Sequence, residues 1–374
     1  MTVPDIGGHV APGFERVREA FAANFADGLE VGASFAVQLG GATVVDLWGG
    51  CADRARTRPW QRDTLVNVWS TTKGLASLCV AMLVDRGLVS YEQTMASVWP
   101  EFAAAGKEAL TVGEVLSHQG GLPGVEGEIT VRDFVNHHAM AARLAAQAPL
   151  FETGQSGYHA ITHGFLSAEI VRRVDGRTLG RFFAEEVVGP LGTEAWIGLP
   201  ESEEDRIAEI VPAPRRPLPL PPHPAARAAL AHPPLDAEAA NQRWWRAAEI
   251  PSVNAQTNAR ALATIYGMLA RGGEAGGRRF LSSETIAQAT RKRVHVKDLV
   301  LGIPMRWAAG FSRNDGVTYG KNRNTFGHSG WGGSFGCADP DAGLAMGYAM
   351  NQMCANLRGD PRTLALIAAV YESL

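Results

Sequence analysis

The feature that most restricts this chain is Gly74-Leu75-Ala76-Ser77-Leu78-Cys79-Val80-Ala81-Met82-Leu83-Val84, eleven residues that are apolar on nearly every side. A helix hydrophobic all round has no face to give to water, so it lies inside the molecule. Eleven residues fall short of the roughly 20 that cross a bilayer. The run therefore predicts a core helix that continues to about Asp85. Just before it stand Val68-Trp69-Ser70-Thr71-Thr72-Lys73, at the end of a strand-like segment from Leu65 to Trp69. Ser70 is at the joint and Lys73 follows three residues later. Positions i and i+3 share a helix face, so the hydroxyl and the amine can point into one space. A serine is a poor nucleophile until a nearby base takes its proton. A lysine is that base only if its surroundings keep it neutral. Of the five lysines (73, 107, 292, 297 and 321), only Lys73 has serine three positions earlier. Its place in the first turn of a buried helix predicts partial desolvation. Ser-x-x-Lys on its own has a plainer reading, an N-cap serine followed by a surface lysine.

The 374 residues are 46% hydrophobic and 20% charged, with a formal net charge of −3. That composition supports one large core or two lobes. Near-neutral charge gives no footprint for nucleic acid or an anionic membrane. The start, Met1-Thr2-Val3-Pro4-Asp5-Ile6-Gly7-Gly8, has neither the basic head nor the apolar core of a signal peptide. Four cysteines (51, 79, 337 and 354) show no Cys-x-x-Cys spacing. Free thiols of this kind predict a cytoplasmic protein. Oligomeric state is not written in the composition.

Pro12 to about Asp27 reads as an amphipathic helix with Phe14, Val17, Phe21 and Phe25 on one stripe. Gly32–Leu39 and Ala42–Gly49 read as a hairpin around Gly40-Gly41. The chain is thus expected to begin helix, strand, strand. From about Leu75 to Leu199 the pattern is mostly helical. Thr111 opens a Thr-x-x-Glu capping box with Glu114, and helices are expected over Thr162–Val174 and Thr178–Val188, the latter ending before Gly189-Pro190. Residues 212–234 hold nine of the 21 prolines. At that density a polyproline-like surface loop without helix is expected, either an inert linker or the rim of a pocket. Trp244-Trp245 follow it as core or pocket wall. Asn258–Arg271 reads as a helix, and Met305–Phe311, Phe335–Asp339 and Leu344–Asn351 as strands. Asp360-Pro361, an N-cap followed by proline at N1, opens a C-terminal helix. Helices at both termini with strands just inside them suggest one lobe made from both chain ends, with a helical lobe inserted after the serine.

Two further stretches carry chemistry. Gly154-Gln155-Ser156-Gly157-Tyr158-His159-Ala160 places Tyr158 after a glycine-containing turn at a helix start, where it is either aimed into a cleft or packed in a core. Gly327-His328-Ser329-Gly330-Trp331-Gly332-Gly333 offers close backbone approach and unhindered N–H donors, or a plain turn between strands. Together, Ser70-x-x-Lys73, Tyr158 about ninety residues on, and His328-Ser329-Gly330 near the C-terminus resemble the serine β-lactamase and penicillin-binding fold. Order and spacing are most similar to class C β-lactamases and the family VIII carboxylesterases. Trp69-Ser70-Thr71-Thr72-Lys73, Leu116-Ser117-His118 through Gly121-Leu122-Pro123, Tyr158-His159 and His328 through Gly333 are closest to the esterase branch.

The resemblance implies an α+β fold of the β-lactamase/transpeptidase type. Residues 1–75 and 250–374 would form an α/β sandwich lobe, an antiparallel sheet flanked by the terminal helices. Residues 76–249 would form a mostly helical lobe, with the active site between the two. It implies a serine carboxylesterase with Ser70, Lys73 and Tyr158 as catalytic residues and an acyl-enzyme on Ser70. The oxyanion would sit between the backbone N–H groups of Ser70 and Trp331. His328, Ser329, Gly330, Trp331, Trp244 and Trp245 would line the substrate. No cofactor or metal is implied, and the partner is a small-molecule ester. Where class C β-lactamases carry Tyr-x-Asn and Lys-Thr-Gly, this chain has Ala160 and His328. Alanine offers no amide to an acylamino group, and histidine is mostly neutral at pH 7. Penicillin-like anions should bind poorly while neutral esters lose nothing. A neutral lysine or an ionised tyrosine each needs a shift of about 3 units, so Lys73 and Tyr158 are expected to titrate as a pair, with the proton's home left open.

Other patterns are set aside. Gly332-Gly333-Ser334-Phe335-Gly336 matches the G-x-S-x-G elbow, but a strand-like run follows Ser334 where that motif needs a helix. His159 and His163 have zincin spacing, but Ala160 stands where the glutamate must be. His137-His138 and Arg291-Lys292-Arg293 read as solvated surface. The rivals are a β-lactamase or D-alanyl peptidase, and a non-catalytic scaffold on the same fold.

Overall fold

Val17, Phe21 and Phe25 form the buried side of helix α1 (Glu15–Ala26), as their spacing requires. The computed structural model describes residues 4–214, 220–356 and 358–374. Strands β2 (Gly32–Leu39) and β3 (Ala42–Gly50) follow α1 and pair antiparallel. Gly40 (φ +57°) and Gly41 (φ +92°) make their turn, which needs two positive φ values. The chain does not begin with α1, however. Strand β1 (Ile6–Val10) comes first and pairs with β3 at the sheet edge, Ile6 opposite Gly49. Its two glycines hide it from propensity. Gly7 is needed because a Cβ there would lie 2.5 Å from the Trp48 ring.

Six more strands come from the C-terminal third: β4 (Val294–Lys297), β5 (Pro304–Trp307), β6 (Ser312–Arg313), β7 (Phe326–Ser329), β8 (Phe335–Asp339) and β9 (Leu344–Met350). Among the described residues the main sheet has nine strands in the order β1-β3-β2-β9-β8-β7-β6-β5-β4. Every neighbouring pair is antiparallel. β9 is fully buried and joins the N-terminal hairpin to the C-terminal strands. Helices cover both of its faces. Gly347 faces the 259–270 helix, whose Ala259 carbonyl would lie 2.3 Å from an added Cβ. Tyr348, pointing the other way, lies under the Arg362 guanidinium of the C-terminal helix.

The buried helix expected after Ser70 is α2 (Thr72–Asp85), with every residue from Thr72 to Leu83 buried. It packs against α3 (Thr162–Asp175). Helices α4 (Ala259–Ala270) and α5 (Pro361–Glu372) pack on the sheet and on α1 respectively. This is an α+β fold, an antiparallel sheet flanked by helices.

Three expectations need correction. The proline-rich 212–234 stretch contains a helix, Pro224–Leu230. Pro224 holds its first position, where a missing N–H costs nothing, and an alanine-rich run follows. Residues 215–219, with half of the Pro217–Pro222 run, lie outside the described residues. The Thr178–Val188 helix runs past Gly189-Pro190 to Leu191. A wide turn at Ala184–Val188 makes room for the Pro190 ring, which would strike a regular helix. The Met305–Phe311 strand stops at Trp307, because Gly310 (φ +80°) turns the chain against α2. A Cβ on Gly310 would fall 1.8 Å from Ser77 Oγ. Finally, Gly327–Ser329, for which a plain turn was the alternative reading, belong to strand β7 (Phe326–Ser329).

Candidate active site

The short strand Val66–Asn67 pairs with Gln256–Thr257 and leads into a 3₁₀ turn at Trp69–Thr71. Trp69 takes φ +46°, the left-handed region, which costs a non-glycine residue roughly 1–3 kcal/mol. Packing holds it there. Its fully buried ring lies 5.8 Å from Trp245 and 5.0 Å from Trp331, centroid to centroid. Thr72 Oγ1 donates to the Trp69 carbonyl at 2.6 Å. Ser334 Oγ donates to the Val68 carbonyl at 2.8 Å and lies 3.1 Å from Thr71 Oγ1. Trp69 and Thr71 are buried, and Ser70 between them is partly open. The same bonds dispose of the G-x-S-x-G match. Ser334 is fully buried and its hydroxyl clasps the turn that carries Ser70.

Lys73 is fully buried. Its Nζ lies 3.1 Å from Ser70 Oγ, 2.6 Å from the Ala160 carbonyl and 3.2 Å from the Ser252 carbonyl. Burial holds the amine well below the ordinary lysine value. A neutral amine has two hydrogens and one lone pair. Once neutral, the amine would give its hydrogens to the two carbonyls and turn its lone pair to the serine.

Tyr158 sits in the loop ahead of α3, its hydroxyl beside Ser70 and its ring 4.9 Å from Lys73 Nζ. Burial pushes the phenol upward. The same burial thus drives the amine down and the phenol up, toward an uncharged pair. The Tyr158 ring stacks on Trp307, with centroids 5.4 Å apart and planes 9° apart.

His328 is buried on β7, stacked 6.2 Å from Tyr158 and 6.0 Å from Trp307. Burial first, and Lys73 second, bring it down to about 3, so it is neutral at pH 7. Its Nδ1 lies 2.9 Å from the Ser329 carbonyl, which puts the proton on that nitrogen, and its Nε2 has no partner. Ser329 Oγ lies 2.9 Å from the Tyr319 hydroxyl. At Gly330 a Cβ would lie 2.2 Å from Ser334 Oγ and 2.3 Å from the Val68 carbonyl. Glycine there lets the 330–333 turn close on the serine turn and carry the Trp331 backbone alongside. Trp331 itself is 44% exposed. Trp245 is fully buried behind Trp69, its indole donating to Asn67 Oδ1 at 3.0 Å. Trp244 is half-buried under the Arg132 guanidinium, 4.1 Å away.

Three residues had no flag in the sequence. Ser252 supplies a carbonyl to Lys73. Trp307 stacks on Tyr158. Asp298 is a buried carboxylate bonded to the Tyr158 N–H at 3.0 Å. Backbone donors and acceptors leave no local motif, so nothing nearby could have revealed Asp298 or Ser252. His118, His159 and His163 form a buried group. His118 Nδ1 accepts the His159 N–H at 3.1 Å, and His118 packs edge-on to Tyr158 and Trp307. His159 precedes α3, which starts at Thr162, so His159 and His163 do not share a helix face. Among the described residues no group of three metal-ligating side chains is placed to hold an ion. Two residues expected in solvent are partly withdrawn from it. Arg293 is 8% exposed, over the Tyr91 ring and bonded to Glu92, which offset its desolvation. His137 lies 3.2 Å from Glu169.

A serine with a buried lysine one turn on, set beside an antiparallel sheet with helices on both faces, defines a serine hydrolase of the esterase/β-lactamase fold. The chain belongs to the β-lactamase family, whose model matches residues 21–369, and within it to the family VIII carboxylesterase branch of the class C β-lactamase and penicillin-binding superfamily. It is similar to a crystal structure of a family VIII carboxylesterase, at 50% identity over 99% of this chain and 100% of that one, with a TM-score of 0.95. A penicillin-binding protein homolog from Caulobacter crescentus is 46% identical over 99% of this chain and 100% of that one, with a TM-score of 0.92. The esterase/beta-lactamase LipL of Mycobacterium tuberculosis is 38% identical over 95% of this chain and 86% of its own length.

Proposed function

We propose that this serine hydrolase is a carboxylesterase that cleaves small, short-acyl esters through an acyl-enzyme on Ser70. The observation that carries the reading is the setting of Lys73, with two carbonyls on its hydrogens and Ser70 Oγ 3.1 Å away. Lys73 takes the Ser70 proton as Oγ bonds to the ester carbonyl carbon. The carbonyl oxygen becomes an oxyanion held by the N–H groups of Ser70 and Trp331, each such donor worth about 3 kcal/mol. As the C–O bond breaks, Tyr158 protonates the leaving alkoxide and is reprotonated from Lys73. Water then releases the acid by the same route reversed.

Ala160 and the neutral His328 favour an uncharged substrate over a penicillin-like anion. Trp331 and Trp244 would supply the apolar wall, with the buried Trp69 and Trp245 supporting them from behind. The site would lie between a lobe of residues 1–75 and 250–374 and a helical lobe of residues 76–249. Among the described residues no helix is long and apolar enough to cross a membrane. The four free cysteines support a cytoplasmic location.

The test is a panel of p-nitrophenyl esters from acetate to octanoate beside a chromogenic cephalosporin, with Ser70→Ala and Ser334→Ala as controls. Turnover greatest on the short esters, lost in Ser70→Ala and kept in Ser334→Ala, is expected. Cephalosporin turnover exceeding that of every ester would favour the β-lactamase alternative instead. No turnover and no labelling of Ser70 by a fluorophosphonate would mean a non-catalytic scaffold.

A further inference from the structure

Asp298 follows β4, and its carboxylate is fully buried. Five donors converge on it. Oδ1 accepts the backbone N–H groups of Tyr158 (3.0 Å), Val300 (2.9 Å) and Leu301 (3.0 Å). Oδ2 accepts the Ser156 hydroxyl at 3.0 Å and the Trp307 indole N–H at 3.2 Å. All five are neutral, so fixed dipoles take the place of water around the charge. Such a carboxylate is stable only while the donors stay aimed at it. The arrangement is therefore stiff, and it is built around Tyr158. One oxygen holds the Tyr158 backbone. The other holds Trp307, whose ring lies parallel to the phenol, and Ser156 two residues before it. The Leu299 N–H donates to the Ser156 carbonyl at 2.8 Å and closes the same seam.

We propose that Asp298 is the positioning residue that holds Tyr158 as the proton donor to the leaving alkoxide. The inference rests on the acyl-enzyme reading above and adds a division of labour to it. Asp298 touches no reacting atom. It clamps the phenol through backbone and ring stack, and its negative charge opposes formation of a tyrosinate. Tyr158 thus keeps its proton until the C–O bond breaks, and Lys73 is left as the base toward Ser70. The proton passes from Ser70 to Lys73, from Tyr158 to the alkoxide, and from Lys73 back to Tyr158, so the cycle balances.

Leaving-group dependence separates this role from simple structural support. An ethoxide cannot depart without a proton, whereas p-nitrophenolate can. The experiment compares kcat/KM for ethyl butyrate and p-nitrophenyl butyrate in the wild type, Asp298→Asn, Trp307→Phe and Ser70→Ala. Asp298→Asn should lose at least about tenfold on the ethyl ester, at the low end of general-acid effects or beyond, and much less on the p-nitrophenyl ester. Its alkaline limb on the ethyl ester should move to lower pH, because the phenol ionises more easily once the charge is gone. Trp307→Phe, which keeps the stack and loses one N–H to Asp298, should show the same bias more weakly. It serves as the test if Asp298→Asn does not fold. Equal losses on both esters, or none on either, overturn the proposal. Wild type inactive on both esters, or Ser70→Ala as active as wild type, overturns the acyl-enzyme reading and this inference with it.

Discussion

Lys73 has given up solvation for position. Its amine is fully buried against two carbonyls and a serine oxygen, and burial lowers its proton affinity far below that of a surface lysine. Lys73→Met should lower kcat/KM by about 10²–10⁴-fold, the span of general base catalysis, with KM little changed. The same change should raise the melting temperature. A lysine whose native value is depressed binds its proton less tightly folded than unfolded, so it opposes folding at every pH below the unfolded value. Removing it removes that cost. Activity of the wild type should climb with pH as Lys73 loses its proton and level off once it is neutral. Lys73→Arg, charged at every working pH, should be inactive throughout. The grouping of Ser70, Lys73 and Tyr158, proposed above as catalytic, was legible in the sequence because such chemistry demands particular side chains in a particular order. The Asp298 carboxylate was not, since three of its five partners are backbone N–H groups that any residue carries.

Between elements, a contact too close for a side chain joins helix α4 to the serine helix. A Cβ on Gly74 would lie 2.0 Å from the Tyr266 hydroxyl on α4. That hydroxyl is buried and has no partner, and an unmet buried polar group costs about 1–3 kcal/mol. Tyr266→Phe should therefore be neutral or stabilising in denaturant melts. Gly74→Ala should destabilise by about 1–3 kcal/mol through overpacking, and Tyr266→Phe should recover part of that loss. The two costs would then fail to add, as expected of residues in contact. The element pattern was readable where the apolar pattern, a cap or a turn signal was strong, as in α1, α2, α5 and the β2–β3 hairpin. It misled where a neighbour decides the local state. Ile6-Gly7-Gly8-His9-Val10 is a strand because β3 pairs with it and Trp48 covers it. The helix through Pro190 and the one opening at Pro224 show that proline breaks a helix by position rather than by presence.

Across the whole molecule, the two chain ends meet behind the 330–333 turn. Arg362 of α5 donates to the Gly332 carbonyl at 2.8 Å, to Asp360 at 2.7 Å and to Glu30 at 3.0 Å. The Tyr348 hydroxyl donates to the other Glu30 oxygen. Burial pushes Glu30 up to about 7 against the pull of Arg362. A carboxyl held above its unfolded value favours the fold while protonated, and that contribution fades as pH rises from about 4.5 through about 7. Thermal melts should show stability falling across that window, and Glu30→Gln should flatten the fall. The sequence could say that both ends contribute to one sheet. It could not say that β9 lies between the N-terminal hairpin and β8, because strand order depends on which buried faces match. The proposed function requires that Ser70 become covalently acylated. Intact-protein mass spectrometry after brief exposure to p-nitrophenyl butyrate or a fluorophosphonate tests it most directly. The expected result is one adduct, mapped by peptide to Ser70, slowed in Lys73→Met and lost in Ser70→Ala. An adduct on Ser334, or undiminished labelling of Ser70→Ala, would contradict it.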